Sequence, residues 1–453
     1  MIHVLVAGGG LAGLATALSL SDAGCRVTLL ESMSRFGGRT CSYSDRVAGD
    51  EIDNGQHILM GCCDAALRYV HRIGSASQLR TLPGLSLQFR HCDGRVAKLA
   101  AGRLPHPFGM LQGVLRFSML SLAERLSVLR VAMHLRSLTS TGSDALDQLD
   151  AASWLRSLRQ SDTVMEYLWT PIVLATMNTV PDRASAHLLA VVLRRIFFSS
   201  ADAAAVLLPE RGLSHLFVHP AVTALRQAGA VLVRSDALHA IVLKEGGTVA
   251  CRMRSGSVFE ADALVSALPA WKLNEVLHRS GLEKAVDCDL SSFEPSPILS
   301  AHVWLSYEAA LPPMMGLFGC STQWVFDKGA SVDGYRRVSC TISAAEDLME
   351  LDNESLRKLL SQELRQVIPG LREDDILRVL PMRERKATFV PRNGLEWCRP
   401  GPRSSLRPLY LAGDWTNTGL PATIESAVLS GEHAAAALLE DASSSRTMLR
   451  TRI

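Results

Sequence analysis

The stretch 3–31 reads HVLVAGGGLAGLATALSLSDAGCRVTLLE, and it decides the fold of this chain. An apolar run precedes Gly8, Gly10 and Gly13, and a small-residue helical pattern follows them before a second apolar run ends at Glu31. Gly8 allows a tight turn, Gly10 lets the backbone approach a pyrophosphate, and Gly13 lets a helix pack closely on a strand. The order of strand, glycine turn, helix and strand predicts a Rossmann-type α/β unit that binds a dinucleotide.

The groups that would hold the dinucleotide follow from this pattern. The helix begins near Leu11 and Ala12, where free N–H groups and the positive end of the helix dipole favour phosphates. Glu31 lies eighteen residues after Gly13, where a carboxylate can accept ribose hydroxyls. Because every part stands in the required order, a chance glycine-rich turn is the less favoured interpretation.

A second glycine box, RFGGR at 35–39, follows the acid directly. Gly37 and Gly38 let the chain pass close to a phosphate, and Arg35 and Arg39 supply positive charge for it. An NAD dehydrogenase has no use for this second box. Together with the first turn it resembles the flavoprotein family of amine oxidases, protoporphyrinogen oxidases and carotenoid desaturases. The resemblance implies FAD as the cofactor.

The resemblance extends to the end of the chain. The run LYLAGD at 409–414 is an apolar strand ending in Gly413 and Asp414, and GLPATIESA at 419–427 opens a long alanine-rich helix. The family implies that Asp414 binds the sugar and ribityl region, while the helix N-terminus meets the flavin's pyrimidine oxygen. It also implies backbone contact of Leu238 with the adenine. The further cofactor residues implied at this helix start are Ala422, Thr423 and Ile424.

The expected fold class is therefore α/β, with a discontinuous Rossmann-type FAD-binding domain, a mixed-sheet substrate domain and a helical subdomain. We expect the FAD-binding domain to comprise 1–62, 206–270 and 396–440. The helical subdomain, which faces substrate and a membrane surface, spans 63–205, the substrate domain spans 271–395, and 441–453 is a disordered tail. An apolar stretch at 169–186 with a few hydroxyl and amide groups suits either a hydrocarbon pocket or plain core packing.

Composition excludes several classes of function. A net charge of +2 gives no bias toward nucleic acid. The ten cysteines are scattered without a C-x-x-C pair, so we expect no metal site and free thiols in a reducing compartment. The first strand starts too early for a signal peptide, and no long uniformly apolar run predicts a transmembrane helix. The expected location is cytoplasmic, peripheral to the inner membrane.

The segment 105–136 is rich in arginine and is expected to be helical, with 105–109 as its entry loop. An apolar stripe opposite basic residues suits a membrane surface, and packing against the body of the protein is the alternative. A peripheral membrane surface is thus an expected partner. The stripe consists of Leu115, Met119, Leu122, Leu126, Leu129 and Met133.

Within the family, three segments most resemble the bacterial hydroxysqualene dehydroxylases: DNGQH at 53–57, the Asn178-Thr179 segment, and GDWT at 413–416. The resemblance implies an isoprenoid substrate, hydroxysqualene, reduced to squalene in hopanoid or triterpenoid biosynthesis. The allylic hydroxyl is lost and reduced FAD delivers a hydride. The sequence contains no motif for a particular electron donor.

The same resemblance places Gly55, Gln56 and His57 beside the flavin ring. Gln56 and His57 are the candidate catalytic residues, since a histidine can give or take a proton near neutral pH. A loop histidine that only hydrogen-bonds to backbone is the alternative. Other functions stay open: a carotenoid or phytoene desaturase, an amine oxidase with Trp397 and Trp415 as an aromatic cage, or a non-catalytic prenyl-binding carrier.

Overall fold

The computed structural model describes residues 1–82, 84–102, 104, 108–138, 145–200, 202–308 and 310–450, with side chains described up to residue 444. The first half of the chain contains the strands β1 (His3–Ala7), β2 (Arg26–Leu30), β3 (Ser42–Ser44), β4 (Glu51–Asp53), β5 (Leu59–Met60), β6 (Leu79–Leu82), β7 (Ser86–His91), β8 (Val96–Ala100) and β9 (Val206–Pro209). The second half contains β10 (Val231–Val233), β11 (Leu238–Leu243), β12 (Val249–Met253), β13 (Val258–Ala261), β14 (Ala263–Ser266), β15 (Pro295–Leu305), β16 (Met314–Phe318), β17 (Trp324–Ala330), β18 (Arg336–Ser343), β19 (Ile376–Phe389) and β20 (Leu409–Leu411).

The helices, in chain order, are α1 (Leu11–Asp22), α2 (Asp64–Arg72), α3 (Phe108–Leu115), α4 (Leu122–Ser137), α5 (Ala151–Ser157), α6 (Thr170–Met177), α7 (Ala186–Phe198), α8 (His219–Gln227), α9 (Ala270–Ser280), α10 (Asn353–Val367) and α11 (Ile424–Arg450). An α-turn (Asp162–Val164) and a π-helical stretch (Met165–Trp169) lead into α6, and a second π-helical stretch (Ser214–Val218) leads into α8.

A parallel five-stranded sheet joins the two ends of the chain. Its strand order is β10-β2-β1-β14-β20, and every neighbouring pair is parallel. Its strands are buried on both faces, since α1, α8 and α11 pack on one side and α9 with the β11–β13 meander packs on the other. The predicted Rossmann-type unit is thus present, with β1 and β2 from the start of the chain and β20 from its end.

Glycines allow the helices of this unit to pack at close range. A Cβ atom on Gly13 would lie 1.8 Å from the Gly8 carbonyl oxygen, and one on Gly431 would lie 2.4 Å from the Ala12 carbonyl oxygen. Helix α1 therefore packs directly against the first turn on one side and against α11 on the other.

The second large sheet has seven strands in the order β19-β15-β18-β17-β16-β7-β8. One face packs against α10, through Leu299 and Val338 of the sheet and Leu356 and Leu360 of the helix. The opposite face is turned toward the helices α3 to α7. Strands β7 and β8 differ from the expected helical character of 63–205, because β7 pairs in parallel with β16 and so joins the substrate sheet.

The predicted helix over 105–136 is two helices, α3 and α4, and 105–107 lie outside the described residues. Ser121 caps α4 by accepting a hydrogen bond from the Glu124 N–H, and the Glu124 carboxylate accepts from Ser121 in return. The buried face of α4 contains Val128, Val131 and Leu135. The predicted apolar stripe therefore lies largely outside, with Leu122, Leu126 and Met133 exposed by 66%, 50% and 63%.

Helix α11 extends to Arg450, so residues 441–450 are helical where the sequence predicts a disordered tail. The Asp441 carboxylate pairs with the guanidinium groups of Arg403 and Arg407, which ties this part of the helix to the chain before β20. Over the described ranges, no helix combines the length and apolarity needed to cross a membrane.

Candidate functional site

A cavity of about 980 Å³ runs from the glycine turn of the parallel sheet to the helices α3 to α7. It has a nucleotide end lined by the two glycine boxes, a middle lined by 54–57, and an apolar chamber beyond them. Seventeen predicted site residues line it: Gly8, Gly10, Leu11, Ala12, Glu31, Gly37, Gly38, Arg39, Gly55, Gln56, His57, Leu238, Gly413, Asp414, Ala422, Thr423 and Ile424. Gly13 and Arg35 do not line it.

At the nucleotide end the backbone is shaped for close approach of a ligand. Gly8 has a φ of +106°, and a Cβ atom on Gly10 would meet no protein atom within 4 Å. Helix α1 begins after Gly10 with no side-chain cap on its first N–H groups. Uncapped N–H groups beside open space can receive a phosphate.

Glu31 closes the glycine turn. Its Oε2 accepts the Gly9 N–H at 2.8 Å, and its Oε1 accepts the Met33 N–H at 2.7 Å. These bonds fix the carboxylate at the cavity wall. A carboxylate oxygen has capacity for a second donor, so Glu31 can also receive a ribose hydroxyl.

The second glycine box brings both ends of the chain together. The Arg39 guanidinium lies 2.8 Å from the Asp414 carboxylate and donates to the Ala387 carbonyl oxygen at 2.6 Å. Arg35 is placed differently from the prediction: it donates to the Tyr43 hydroxyl at 2.7 Å and stacks over that ring. Within this box, Arg39 is therefore the arginine that lines the cavity.

The C-terminal box needs a glycine at 413. Gly413 has a φ of +138°, and a Cβ atom there would lie 2.5 Å from the Trp415 Nε1. Its N–H donates to Ser430 Oγ at 2.8 Å, which fixes the strand end on α11. Thr423 then accepts the Ser426 N–H at 3.1 Å, next to the first turn of α11.

Sequence reasoning missed Arg399, whose side chain is fully buried. It donates to the carbonyl oxygens of four loop residues and pairs with Glu396 at 2.5 Å. No local pattern reveals this role, since the acceptors lie fifteen to twenty-one residues further along the chain. The carbonyls belong to Asp414, Trp415, Thr416 and Leu420.

Glu425 and Arg195 were missed as well. The Glu425 carboxylate accepts the N–H groups of Ala65 and Ala66 at 3.2 and 2.9 Å, at the start of α2, and lies 2.9 Å from Arg195. This network fixes the start of α11 against α2. The only sequence signal for this network is an acidic residue in the first turn of both α2 and α11.

At the middle of the cavity, His57 is held by its own loop. Its Nδ1 lies 3.1 Å from the Gly55 carbonyl oxygen, which can only accept, so Nδ1 carries the proton and Nε2 is an acceptor. Burial lowers the pKa of His57, the Lys328 charge lowers it further, and Asp53 opposes the shift. The imidazole is therefore neutral at pH 7.

Gln56 is oriented by a buried lysine. Lys328 Nζ donates to Gln56 Oε1 at 3.0 Å and lies 3.8 Å from Asp53 Oδ2. Gln56 Nε2 donates to the His57 carbonyl oxygen at 3.1 Å. Burial lowers the pKa of Lys328, and no sequence pattern predicts this lysine beside Gln56.

The far end of the cavity is apolar. Helices α3, α4, α6 and α7 and the seven-stranded sheet supply its walls, mainly with hydrocarbon and aromatic side chains. Such a chamber suits a long hydrocarbon and excludes water from its interior. Its lining includes Leu87, Phe89, Met110, Val131, Leu135, Leu168, Ile172, Leu193, Phe197 and Trp324.

The predicted aromatic cage is absent from the described structure. Trp397 is 67% exposed and does not line the cavity. Trp415 is buried, donates from Nε1 to the Leu268 carbonyl oxygen at 2.9 Å, and packs edge-on against Phe293. The two rings therefore do not face each other across a substrate.

The residues present fit FAD. The uncapped start of α1 and the open space at Gly10 can take the pyrophosphate, and Glu31 can take a ribose. The ribityl chain and the flavin ring would then lie beside Asp414, which pairs with Arg39, and beside the start of α11. With FAD at these residues, the apolar chamber of the cavity stays available for a substrate.

Comparison with known proteins agrees with this site. The family model described as "Flavin containing amine oxidoreductase" matches residues 11–439. Hydroxysqualene dehydroxylases from Rhodopseudomonas palustris and Zymomonas mobilis are 30% and 28% identical, each over 96% of this chain and 97% of its own length. A 15-cis-phytoene desaturase from Narcissus pseudonarcissus is 25% identical over 97% of this chain and 80% of its own length.

Among solved structures, one described as a putative protoporphyrinogen oxidase from Exiguobacterium matches with a TM-score of 0.69 at 16% identity. It covers 96% of this chain and 98% of its own. This likeness shows a shared fold. The chain thus belongs to the flavin-containing amine oxidoreductase family, has the hydroxysqualene dehydroxylases among its curated relatives, and is an FAD-dependent oxidoreductase.

Proposed function

We propose that this protein reduces hydroxysqualene to squalene as a step of hopanoid or triterpenoid biosynthesis. In this reaction the allylic carbon–oxygen bond breaks, a proton joins the departing oxygen to form water, and a hydride takes its place on carbon. Bound FAD in its reduced form supplies the hydride. The relatives named hydroxysqualene dehydroxylase support this reaction through their similarity along nearly the whole chain.

One observation favours this reaction most: polar groups border an apolar chamber within the same cavity. Gln56 and His57 lie between the nucleotide end and the hydrocarbon-lined chamber. A hydrocarbon with one hydroxyl requires this distribution of polar and apolar walls. The apolar walls also keep water from recapturing the allylic cation.

His57 is proposed to act on the substrate's oxygen. As a neutral imidazole it accepts a hydrogen bond at Nε2, from the hydroxyl or from a water that it holds. When protonated, it donates the proton that the departing oxygen needs. Gln56, held by Lys328, keeps the His57 loop in place.

The test is a single-turnover experiment without oxygen. Chemically reduced, FAD-loaded protein is mixed with hydroxysqualene while the absorption at about 450 nm is followed. We expect the oxidised flavin band to return and squalene to appear by mass spectrometry in equal amount. Reduced protein that leaves the alcohol intact would contradict the proposal.

The same assay separates the alternatives. A desaturase runs in the opposite direction, so oxidised protein would bleach with phytoene; the phytoene desaturase relative favours this reading only weakly. An amine oxidase would bleach with amines, but the exposed Trp397 removes its predicted cage. A non-catalytic carrier would be colourless, and the cofactor-fitting residues at both chain ends disfavour it.

We also propose that the protein is cytoplasmic and docks on the inner membrane through α4. Leu122, Leu126 and Met133 are exposed on α4, and Arg130 and Arg136 are exposed beside them. Apolar side chains flanked by arginine suit an anionic lipid surface. The buried face of the same helix lines the chamber, which gives a long hydrocarbon a short path from lipid to cavity.

A further inference from the structure

Strands β15 and β18 place four polar side chains on the cavity side of the substrate sheet. Alternate residues of both strands, including Leu299 and Val338, pack against α10 on the other side. In the antiparallel register Ser300 pairs with Thr341, and His302 pairs with Ser339. Side chains that are directly opposite have Cβ atoms about 5 Å apart, so the four form one cluster.

Each of these side chains has a buried polar atom without a hydrogen-bond partner among the described residues. The atoms are Ser300 Oγ, Thr341 Oγ1, Ser339 Oγ and His302 Nδ1. His302 Nε2 lies 2.9 Å from the Asp53 carbonyl oxygen and therefore carries the proton, which makes Nδ1 an acceptor. Ser300, His302 and Ser339 are at most 2% exposed.

Such a cluster requires an explanation. Leaving a buried polar group unpaired is unfavourable, and native structures contain few such groups. Four unpaired atoms on two neighbouring residue pairs indicate a place where a bound polar group completes the hydrogen bonds.

The cluster opens into the middle of the cavity. Ser300 and Thr341 both line it. A Cβ atom on Gly55 would lie 3.3 Å from Ser300 Oγ and 3.8 Å from His57 Cε1, so Ser300 and His57 border the same small volume. Ile298 and Trp324, their neighbours on the sheet, present apolar surface to the same cavity.

We propose that Ser300 and Thr341 form the binding site for the hydroxyl group of the substrate, a long-chain allylic alcohol. Ser339 and His302 supply the second row of donors and acceptors behind them. A hydroxyl both donates and accepts, as do the serine and threonine hydroxyls that meet it. This inference rests on the proposed reduction of hydroxysqualene and names the residues that recognise its oxygen.

The site also distinguishes substrate from product. Squalene has no oxygen, so its presence leaves the hydroxyls of Ser300 and Thr341 without a partner, and the alcohol satisfies them. The alcohol therefore binds more tightly than the hydrocarbon of the same length. Loss of the hydroxyl in the reaction then weakens binding and favours release of the product.

The experiment measures binding. The oxidised FAD-loaded protein is titrated separately with hydroxysqualene and with squalene, and changes in the flavin spectrum report binding. Thr341→Val removes a hydroxyl at constant shape, Ser300→Ala removes the other, and Thr341→Ser retains one. The control is Ser361→Ala, which removes an unpartnered buried hydroxyl of α10 outside the cavity lining.

We expect Ser300→Ala and Thr341→Val each to weaken binding of the alcohol roughly 3- to 10-fold and to leave squalene binding within about twofold. Thr341→Ser and Ser361→Ala retain the wild-type preference for the alcohol. An unchanged preference in both hydroxyl-deleted variants, or equal weakening of both ligands, overturns the site.

The outcomes separate this site from the proposed reaction. If wild-type protein reduces hydroxysqualene and the variants keep its preference, the hydroxyl site is wrong and the reaction stands. If wild-type protein neither prefers nor reduces hydroxysqualene, the reaction is wrong and the site fails with it.

Discussion

His57 is the residue on which the proposed proton transfer depends. Its Nδ1 is committed to the Gly55 carbonyl oxygen, and burial lowers the pKa of the imidazole below its ordinary value of 6.5. Only Nε2 is then available to a substrate. The fraction of imidazolium increases as the pH falls below that ordinary value.

Replacing His57 with alanine is expected to lower single-turnover reduction of hydroxysqualene by about 10²-fold or more, the usual contribution of a general acid. In the wild type the rate rises toward acid pH, and the variant loses this rise. Stopped-flow flavin reoxidation from about pH 8 to about pH 5.5 measures both effects. Unchanged turnover with normal FAD content would remove His57 from the mechanism.

Arg399 holds the loop beside the flavin-facing start of α11. Arg399→Met leaves the Glu396 carboxylate and four carbonyl oxygens without their buried donor, so we expect a loss of roughly 3–5 kcal/mol in the free energy of unfolding. The control Arg403→Met removes a half-exposed arginine paired with Glu440 and Asp441, with an expected cost within about 1 kcal/mol. Denaturant unfolding of both variants measures the difference, and equal losses would contradict this role.

At the scale of elements, the glycines before α1 serve two purposes that mutation can separate. Gly10 borders open cavity, and Gly13 is in contact with the Gly8 carbonyl. A methyl group at Gly10 meets only a bound ligand, but a methyl group at Gly13 forces the helix away from the turn.

Gly10→Ala is therefore expected to fold with near wild-type stability without cofactor, and to bind FAD at least about tenfold more weakly. Gly13→Ala is expected to lose stability even without cofactor, by about 1–3 kcal/mol or more, as overpacking does. Urea unfolding of both cofactor-free proteins and fluorescence titration with FAD give the two quantities. Equal behaviour of the two variants would disprove the separation.

The proposed membrane face of helix α4 consists of three exposed side chains. Changing Leu122, Leu126 and Met133 together to glutamine is expected to abolish flotation with anionic vesicles, because each apolar insertion contributes about 1–3 kcal/mol. Turnover of detergent-dispersed hydroxysqualene stays within about twofold, since none of the three lines the cavity.

A matched triple change on another exposed surface, Val231, Val258 and Val332 to glutamine, controls for loss of surface apolarity. Flotation that survives the α4 change, or that is lost equally in the control, would exclude α4 as the docking element.

For the molecule as a whole, two histidines of the cavity region, His57 and His302, contribute to stability toward acid. Burial lowers the pKa of both His57 and His302, so the unfolded chain takes up protons below about pH 6.5 that the folded protein does not. Stability is therefore complete above the ordinary histidine pKa and decreases as the pH falls below it. Thermal unfolding from about pH 8 to about pH 5 measures this decrease.

The variant His302→Gln is expected to flatten that decrease, because it removes one of the two groups. His278→Gln, on an exposed ring, leaves the slope unchanged. A wild-type unfolding temperature that is independent of pH over this range would contradict the assignment of neutral histidines.

The cofactor-binding half of the molecule could be predicted from sequence because the residues that specify it form local motifs. Gly8 and Gly10 specify one turn, and Gly413 and Asp414 specify another, each within a few residues, and Glu31 follows Gly13 by eighteen residues. Arg35 was misplaced because two arginines flank the same glycines, and the contact with Tyr43 decides between them.

The substrate-binding half depends on contacts that distant segments make. Strand β7 joins the large sheet only by pairing with β16, more than two hundred residues later. Helix α4 has apolar residues on two faces, so periodicity alone could not tell which one is buried. Ser300 and Thr341 come together only through the register of β15 with β18, and neither has a local motif.

The joining of both chain ends in one sheet also has a consequence for biosynthesis. Strand β20 and helix α11 are translated some four hundred residues after β1 and α1, so the parallel sheet stays incomplete during that synthesis. A ribosome that stops early releases a polypeptide that lacks Asp414 and the start of α11. Acquisition of yellow colour therefore reports that translation has passed β20 and the start of α11, and a polypeptide that ends earlier stays colourless.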